Sequence, residues 1–346
     1  MSHKVMAAPR LRLRSTGWPA AVVVAALGLS PAVVADPTAT DDPNVAAVQS
    51  AGLYAIPTTS DRTGRVLAPV EINGRGPFRL ILDTGANRSA LSAQVAESLS
   101  LPATRAARLG VHGVTGAAEV PAVSVDSIKA GGILLERLDV PVLTGRVLAE
   151  ADGILGIDGL QDARIDVDFV RDRVTIDRAT GKRPRDGAMV IRAELRHGGL
   201  LVAHGKVGRV PVTVLIDTGA ERSLGNMALH DALLIGGQRS SETVRTVVTG
   251  ATPEIATGTS LRAPTVVIGD VRFRNLIVTF GDLHVFEVWG LVDEPAIVIG
   301  MDLLGTLQRF VVDYPRREFL LMSRTTGLKG VRHCGGTECR TRLPEN

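Results

Sequence analysis

The tetrapeptide Asp-Thr-Gly-Ala occurs twice in this chain, first as Asp83-Thr84-Gly85-Ala86 and again as Asp217-Thr218-Gly219-Ala220. Each copy follows an apolar run, residues 80–82 in the first case and residues 214–216 in the second. The copies lie 134 residues apart, which is about the length of one small domain. A buried strand that ends in such a turn delivers a carboxylate to the bottom of a cleft. Two related halves can therefore bring two carboxylates into one cleft.

The similarity between the halves extends beyond the tetrapeptide at the same offset. Residues 66–82 predict a strand, a turn and a second strand, and residues 200–216 repeat this pattern without a gap. After each tetrapeptide an Arg-Ser pair follows, residues 88–89 in one half and 222–223 in the other. Agreement on this scale indicates an internal repeat.

Further matched elements follow each copy in the same order. Residues 92–99 and 226–234 each begin with a capping residue and predict short helices. Val114-Thr115-Gly116 and Val248-Thr249-Gly250 then predict two hairpin tips.

An apolar segment that ends in glycine follows each hairpin, at residues 154–156 and 298–300. Between hairpin and glycine the second half carries about ten extra residues, which we place within residues 281–293. The next acidic residues, Asp158 and Asp302, are expected to cap short helices.

The composition is consistent with two domains of short strands. The chain has 346 residues, of which 45% are hydrophobic and only 3% aromatic. This length favours two domains, and the β-branched and turn-forming residues favour strands over long helices.

The N-terminus is typical of a secretory signal peptide, which we assign to residues 1–35. A basic flank precedes an apolar segment of about ten residues, too short to span a membrane, and a small-residue cleavage site. We therefore expect export to the periplasm or the extracellular space without a stable membrane span, with retention as an anchor as the alternative. Removing residues 1–35 lowers the formal charge from +3 to about −1, so the basic balance gives no support for nucleic-acid binding.

The polar tail, residues 326–346, carries both cysteines. In an exported chain Cys334 and Cys339 are expected to form a small disulfide loop, although the adjacent His333 leaves zinc binding as an alternative. The sequence shows no nucleotide-binding loop, and we predict neither a metal site nor a cofactor.

Taken together, the doubled Asp-Thr-Gly-Ala, the hairpins and the apolar-Gly segments resemble the pepsin-like and retropepsin-like aspartic peptidases over residues 62–325. The alanines and the lack of tyrosines near the hairpin tips are more similar to the retropepsin branch, here with two lobes fused in one chain. The resemblance implies an all-β, bilobal, pseudo-twofold fold. We expect a lead-in at residues 36–61, lobes at 62–180 and 191–325, and a linker at 181–190.

The resemblance implies a catalytic pair, Asp83 and Asp217, which share a proton and activate a water for peptide hydrolysis. By the same resemblance Thr84 and Thr218 hydrogen-bond across the lobe interface and fix the two loops. The glycines, Gly85 and Gly219, let backbone N–H groups approach the carboxylates, whereas Ala86 and Ala220 remove a hydroxyl donor. Because this donor is absent, we expect the pKa values of the two carboxyls to be lowered less than in a pepsin.

The resemblance also assigns substrate contacts. Both predicted hairpin tips, at residues 114–116 and 248–250, are candidate flaps over the substrate. Asn87 and Glu221 occupy positions where the family contacts substrate backbone. His112, beside the first tip, is expected in a solvent-facing loop, with a substrate contact as the alternative.

Several alternatives remain at this stage. The first interpretation is an exported endopeptidase that takes a peptide or protein substrate and works as a monomer by pairing its own lobes. A catalytically weak peptide-binding or regulatory module on the same fold is the second. A dimer in which lobes of different chains pair is the third.

Overall fold

The computed structural model describes residues 21–22, 56–57, 64–179, 188–237 and 243–323. Apart from two short strands, the predicted signal peptide and lead-in lie outside the described residues. So do residues 180–187 of the linker region and the whole tail with Cys334 and Cys339.

The first half consists of strands with one short α-helix and one 3-10 helix. In chain order the elements are β1 (Ala21–Val22), β2 (Ile56–Pro57), β3 (Leu67–Ile72), β4 (Arg75–Leu82), β5 (Ala90–Ser92), α1 (Ala93–Ser98), β6 (Ala103–His112), β7 (Ala117–Ala130), β8 (Ile133–Leu143), the 3-10 helix (Arg146–Leu148), β9 (Gly153–Leu155), β10 (Ala163–Asp168) and β11 (Arg173–Arg178).

The second half repeats this order with three α-helices. Its elements are β12 (Met189–Arg192), β13 (Glu194–Arg196), β14 (Leu200–Val207), β15 (Val210–Ile216), β16 (Leu224–Gly225), α2 (Met227–Ile235), β17 (Thr243–Thr249), β18 (Ile255–Arg262), β19 (Val266–Ile268), β20 (Val271–Phe273), β21 (Ile277–Phe280), α3 (His284–Val288), β22 (Ala296–Ile299), α4 (Met301–Leu304), β23 (Leu307–Asp313) and β24 (Glu318–Ser323).

The strands of the first half close into a ring. Strand β4 pairs with β3 and β9, β9 with β5, β5 with β8, and the long β7 pairs with both β8 and β3. Strand β7 also pairs with β6, and these two form the first hairpin. The edge of β6 pairs in parallel with β1.

The second half follows the same plan with one interruption. Its counterpart of β7 is split into β18 and β19, and Pro264 lies between them. Proline has no N–H to donate to a sheet ladder, which accounts for a break at this position. Strand β18 pairs with β17 in the second hairpin, and β19 pairs with β14.

The two halves share a sheet of six strands in the order β12-β24-β23-β10-β11-β2. At its centre β10 of the first half pairs antiparallel with β23 of the second. The guanidinium of Arg309 on β23 donates to both carboxylate oxygens of Asp166 on β10, with Nε 2.6 Å from Oδ1. This sheet holds the two rings in a fixed relation, so the fold is all-β and bilobal.

Details of the predicted elements differ from the structure in places. The two helices begin as expected, since the side chains of Ser92 and Asn226 accept N–H bonds at the starts of α1 and α2. The predicted linker, 181–190, overlaps β12, which begins at Met189. No helix in the described ranges is long and apolar enough to cross a membrane.

Candidate active site

Each Asp-Thr-Gly-Ala loop begins where a buried strand ends. Strand β4 runs parallel to β9, and the backbone N–H of Asp83 donates to the carbonyl of Leu155 at 3.0 Å. Strand β15 runs parallel to β22, and the N–H of Asp217 donates to the carbonyl of Ile299 at 2.9 Å. The repeat therefore builds the same loop twice from equivalent strands.

Reciprocal hydrogen bonds join the two loops. The hydroxyl of Thr84 donates to the carbonyl of Ile216 at 2.8 Å, and the hydroxyl of Thr218 donates to that of Leu82 at 2.6 Å. Each hydroxyl also accepts the backbone N–H of the other threonine at 3.1 Å. All four groups are buried, so these bonds fix the loops against each other.

The structure brings the two carboxyl groups together at this contact. Asp83 is fully buried and Asp217 has 1% of its surface exposed. The N–H of Gly85 donates to Oδ1 of Asp83 at 2.9 Å, and the N–H of Gly219 donates to Oδ1 of Asp217 at 2.8 Å. Asp217 accepts a further N–H, from Ala220, at 3.3 Å.

Each glycine also packs against the carboxyl of the opposite loop. A Cβ at Gly85 would lie 2.5 Å from Cγ of Asp217, and a Cβ at Gly219 would lie 2.6 Å from Oδ1 of Asp83. No side chain fits at such distances. Glycine at these positions is what allows the carboxyls to come this close.

Burial raises the pKa of both carboxyl groups, because the charged form loses its hydration. The pKa of Asp217 rises to about 6, opposed by N–H donors that include those of Gly219 and Ala220. The pKa of Asp83 rises well above its usual range, because the charge of Asp217 adds to the effect of burial. The pKa values of the two carboxyls are therefore raised to different extents, and that of Asp83 is raised further.

Two serine–aspartate pairs hydrogen-bond next to the loops and link each loop to its apolar-Gly segment. Ser89 donates its hydroxyl to Asp158 at 2.6 Å and accepts the N–H of Gly156 at 3.1 Å. In the second half, Ser223 donates to Asp302 at 2.8 Å and accepts the N–H of Gly300 at 3.1 Å.

The expectation that the two aspartates cap helices is thus wrong for Asp158. Its carboxylate is used by the backbone N–H and hydroxyl of Ser89. Asp302 does lie in the first turn of α4, but it accepts from Ser223 in the same way.

The tips of the two hairpins contact each other. The first tip comprises residues 113–116 and the second comprises residues 250–254. The hydroxyl of Thr115 donates to the carbonyl of Glu254 at 2.7 Å, and Gly116 packs against the side chain of Glu254. Val114 and Val248 are buried, and Thr249 and Gly250 are half-buried. The prediction of the second tip is wrong for Val248 and Thr249, which lie in strand β17, whereas Gly250 begins the tip.

Asn87 and Glu221 lie beside the two loops in different surroundings. Asn87 is half-buried, and its amide nitrogen would lie 2.9 Å from a Cβ at Gly198, in the turn between β13 and β14. Glu221 is buried, with 6% of its surface exposed. Their predicted contacts with substrate stay a prediction, as do the catalytic roles of Asp83 and Asp217.

Comparison with known sequences agrees with this geometry. A family model described as "Aspartyl protease" matches residues 68–158 and 203–303, which together make up more than half of the chain. The chain belongs to this family. The two matched segments each contain one Asp-Thr-Gly-Ala loop, so the resemblance to pepsin-like and retropepsin-like peptidases is confirmed.

Among solved structures, the aspartic proteinase from Irpex lacteus aligns with 81% of this aspartyl protease and 100% of its own chain. The sequence identity is 12% and the TM-score is 0.47. No curated protein sequence matches the chain.

Two residues of this aspartyl protease were not predicted as part of the site. Tyr314 is buried, and its pKa is raised by burial and by the charges of Asp83 and Asp217, so it remains a neutral phenol near the pair. The repeat aligns Tyr314 with Phe169, so only the second half carries a hydroxyl at this position. This difference between the halves could have indicated the residue.

His284 is the other residue missed. It lies in the extra segment of the second half and contacts His112, at 3.0 Å between ring nitrogens. The expectation that His112 lies in a solvent-facing loop is wrong, because it ends strand β6 and is half-buried by this contact. Within the described residues, His, Cys, Asp and Glu form no cluster of three or more that could hold a metal ion.

Proposed function

We propose that this aspartyl protease is an exported endopeptidase that hydrolyses peptide bonds with a water activated by Asp83 and Asp217. One observation carries the proposal. Two buried carboxyls from equivalent loops meet with their pKa values raised to different extents. A pair that holds one proton contains both a general base and a general acid at the same pH.

From the difference between the two pKa values we assign Asp217 as the general base and Asp83 as the general acid. Asp217, charged above pH 6, takes a proton from the attacking water as the oxygen bonds to the peptide carbonyl carbon. Asp83, which is neutral, gives its proton to the carbonyl oxygen. The amide nitrogen then receives the proton held by Asp217, the C–N bond breaks, and Asp83 recovers its proton from the diol.

The substrate is an extended segment of peptide. The two hairpin tips contact each other, and we propose that a strand of substrate binds when the tips separate. A strand beneath them can add main-chain hydrogen bonds to the hairpins, and closure excludes water from the reaction.

The test uses the purified protein with an unfolded protein mixture from pH 3 to pH 8, and new N-termini are mapped by mass spectrometry. We expect cleavage that a pepstatin-type inhibitor blocks, with a maximum at mildly acidic to neutral pH, because Asp217, whose pKa is raised to about 6, must be charged. A rate maximum near pH 2 would contradict the assigned protonation states.

Absence of cleavage across this range would favour the peptide-binding module instead. Export is tested separately by the mass of the mature protein. Cleavage after residue 35 gives a chain that begins at Asp36, whereas a retained leader leaves Met1 or Ser2 at the N-terminus.

A further inference from the structure

A pair of histidines joins the two halves at a position outside the catalytic loops. His112 at the end of β6 and His284 at the start of α3 meet across 172 residues of sequence. Nδ1 of His112 lies 3.0 Å from Nε2 of His284, and the rings stack with their centroids 5.3 Å apart. The first histidine belongs to the first hairpin and the second to the segment that has no counterpart in the first half.

A second bond joins the same two elements. The backbone N–H of Val285 on α3 donates to the carbonyl of Val114 at the hairpin tip, at 3.3 Å. Val114 and Val285 are both fully buried. Helix α3 of the second half therefore holds the tip of the first hairpin in place.

The hydrogen bond between the rings requires that one facing nitrogen be an acceptor. A neutral imidazole offers one acceptor nitrogen, whereas a protonated imidazole has only donors. The contact therefore survives when one ring is charged but is lost when both are charged. Two cations 3.0 Å apart also repel each other.

We infer that His112 and His284 form a proton-sensitive latch, which holds the first hairpin closed and releases it when both rings are protonated. Its role in admitting substrate rests on the proposed function, whereas the opening itself does not.

The groups around the pair support an opening in mild acid. Glu287 lies 3.3 Å from Nδ1 of His284 and pairs with that ring when it is charged. The pKa of His112 is lowered from 6.5 by burial and then by His284, while Glu119 on β7 opposes this change. Strand β1, which pairs with β6 at His112, lies within the predicted signal peptide and has no titratable residue, so its removal changes no charge at this strand.

The sign of the effect follows from these surroundings. Because the closed state lowers the pKa of His112, opening takes up a proton, and acid favours the open state below pH 6.5. One proton taken up changes the opening equilibrium by at most about tenfold per pH unit. Asp83 and Asp217 act in the opposite direction, because opening hydrates them and releases protons.

Hydrogen–deuterium exchange of the first hairpin separates these contributions. The background is the full chain with Asp83→Asn and Asp217→Asn, which removes the titration of the catalytic pair. After correction for the intrinsic pH dependence of exchange, residues 111–117 are expected to exchange faster at pH 5.5 than at pH 7.5, by up to about tenfold.

Glutamine replaces each histidine in turn, because it keeps hydrogen-bonding capacity and cannot be charged. His112→Gln should reduce the pH effect to less than about twofold. His284→Gln should reduce it in part, because burial still lowers the pKa of His112 when the charge of His284 is removed. His204→Gln is the matched control. His204 is an exposed histidine 2.8 Å from Glu194, so the full effect should remain. Exchange across α2 checks that each variant is folded.

A flat profile in the background chain would overturn the latch, as would an effect that persists in full in either His112→Gln or His284→Gln. Exchange is measured without catalysis. A latch in a protein that cleaves nothing would therefore count against the peptidase proposal alone, and cleavage without the pH effect would count against the latch alone.

Discussion

The two Asp-Thr-Gly-Ala loops share one backbone frame but differ in their surroundings. In both loops the aspartate follows a parallel strand pair, the threonine bonds to the opposite loop, and the glycine packs against the opposite carboxyl. Yet the charge of Asp217 adds to burial at Asp83 and raises its pKa well above the usual range, whereas the pKa of Asp217 is raised only to about 6.

The pKa values of the two carboxyls therefore differ, although the two loops have the same sequence. The repeat sets where the groups meet, because the threonines and glycines act in pairs across the contact. Burial and the neighbouring charge then raise the two pKa values to different extents. This difference is the basis for the proposed assignment of one acid and one base.

The largest effect is expected when either carboxyl is neutralised. Asp83→Asn and Asp217→Asn should each lower kcat by about 10³-fold or more, since each removes one of the two proton-transfer groups. Asp126→Asn, at an exposed position on β7, is the control and should leave kcat unchanged. A single variant with full activity would show that the pair does not work as a unit.

The glycines come next. Gly85→Ala and Gly219→Ala should each lower kcat by about 10²-fold, because the new methyl group displaces the opposite carboxyl. Gly236→Ala, whose Cβ has ordinary contacts of 3.4 Å, serves as the control and should change kcat by less than about twofold. Equal losses in the two loops would support the reciprocal contact, and normal activity in either would refute it.

The threonine bonds are tested by stability. Thr84→Val and Thr218→Val should each lower the free energy of unfolding by about 4 kcal/mol, because each leaves two buried backbone groups without a partner. Thr84→Ser, which keeps the hydroxyl, should lose less than half of that. Urea unfolding of the wild type and the three variants measures the difference. A loss of stability in only one of the two valine variants would show that the two threonines do not contribute equally.

A smaller effect concerns pH and stability. Because burial raises the pKa of Asp217 from 3.8 to about 6, the folded protein binds a proton more strongly than the unfolded chain. The free energy of unfolding should therefore fall by about 2 kcal/mol between pH 4 and pH 7 through this group. Asp217→Asn should make the total decrease smaller, with the remainder due to the raised pKa of Asp83, and an unchanged pH dependence in this variant would exclude Asp217 as a source.

The sequence predicted the features that depend on local pattern and repetition. The Asp-Thr-Gly-Ala loops, the caps Ser92 and Asn226, and both hairpins could be placed because strand ends, caps and turns leave short-range signals.

Features that depend on distant partners were not predicted. Strands β10 and β11 lie within the first predicted lobe by sequence, but β10 pairs with β23, and no local pattern specifies that partner. His112 was misjudged for the same reason. Its partner His284 lies in the extra segment of the second half, where the repeat gives no guide.

The central claim is that one chain builds the whole site from its own two loops. Its most direct test mixes equal amounts of the Asp83→Asn and Asp217→Asn chains, unfolds them together and refolds them. If the loops pair within a chain, every site carries one asparagine and the mixture stays as inactive as its components. If lobes of different chains pair, some sites regain both aspartates, and recovery of a substantial fraction of wild-type activity would contradict the account.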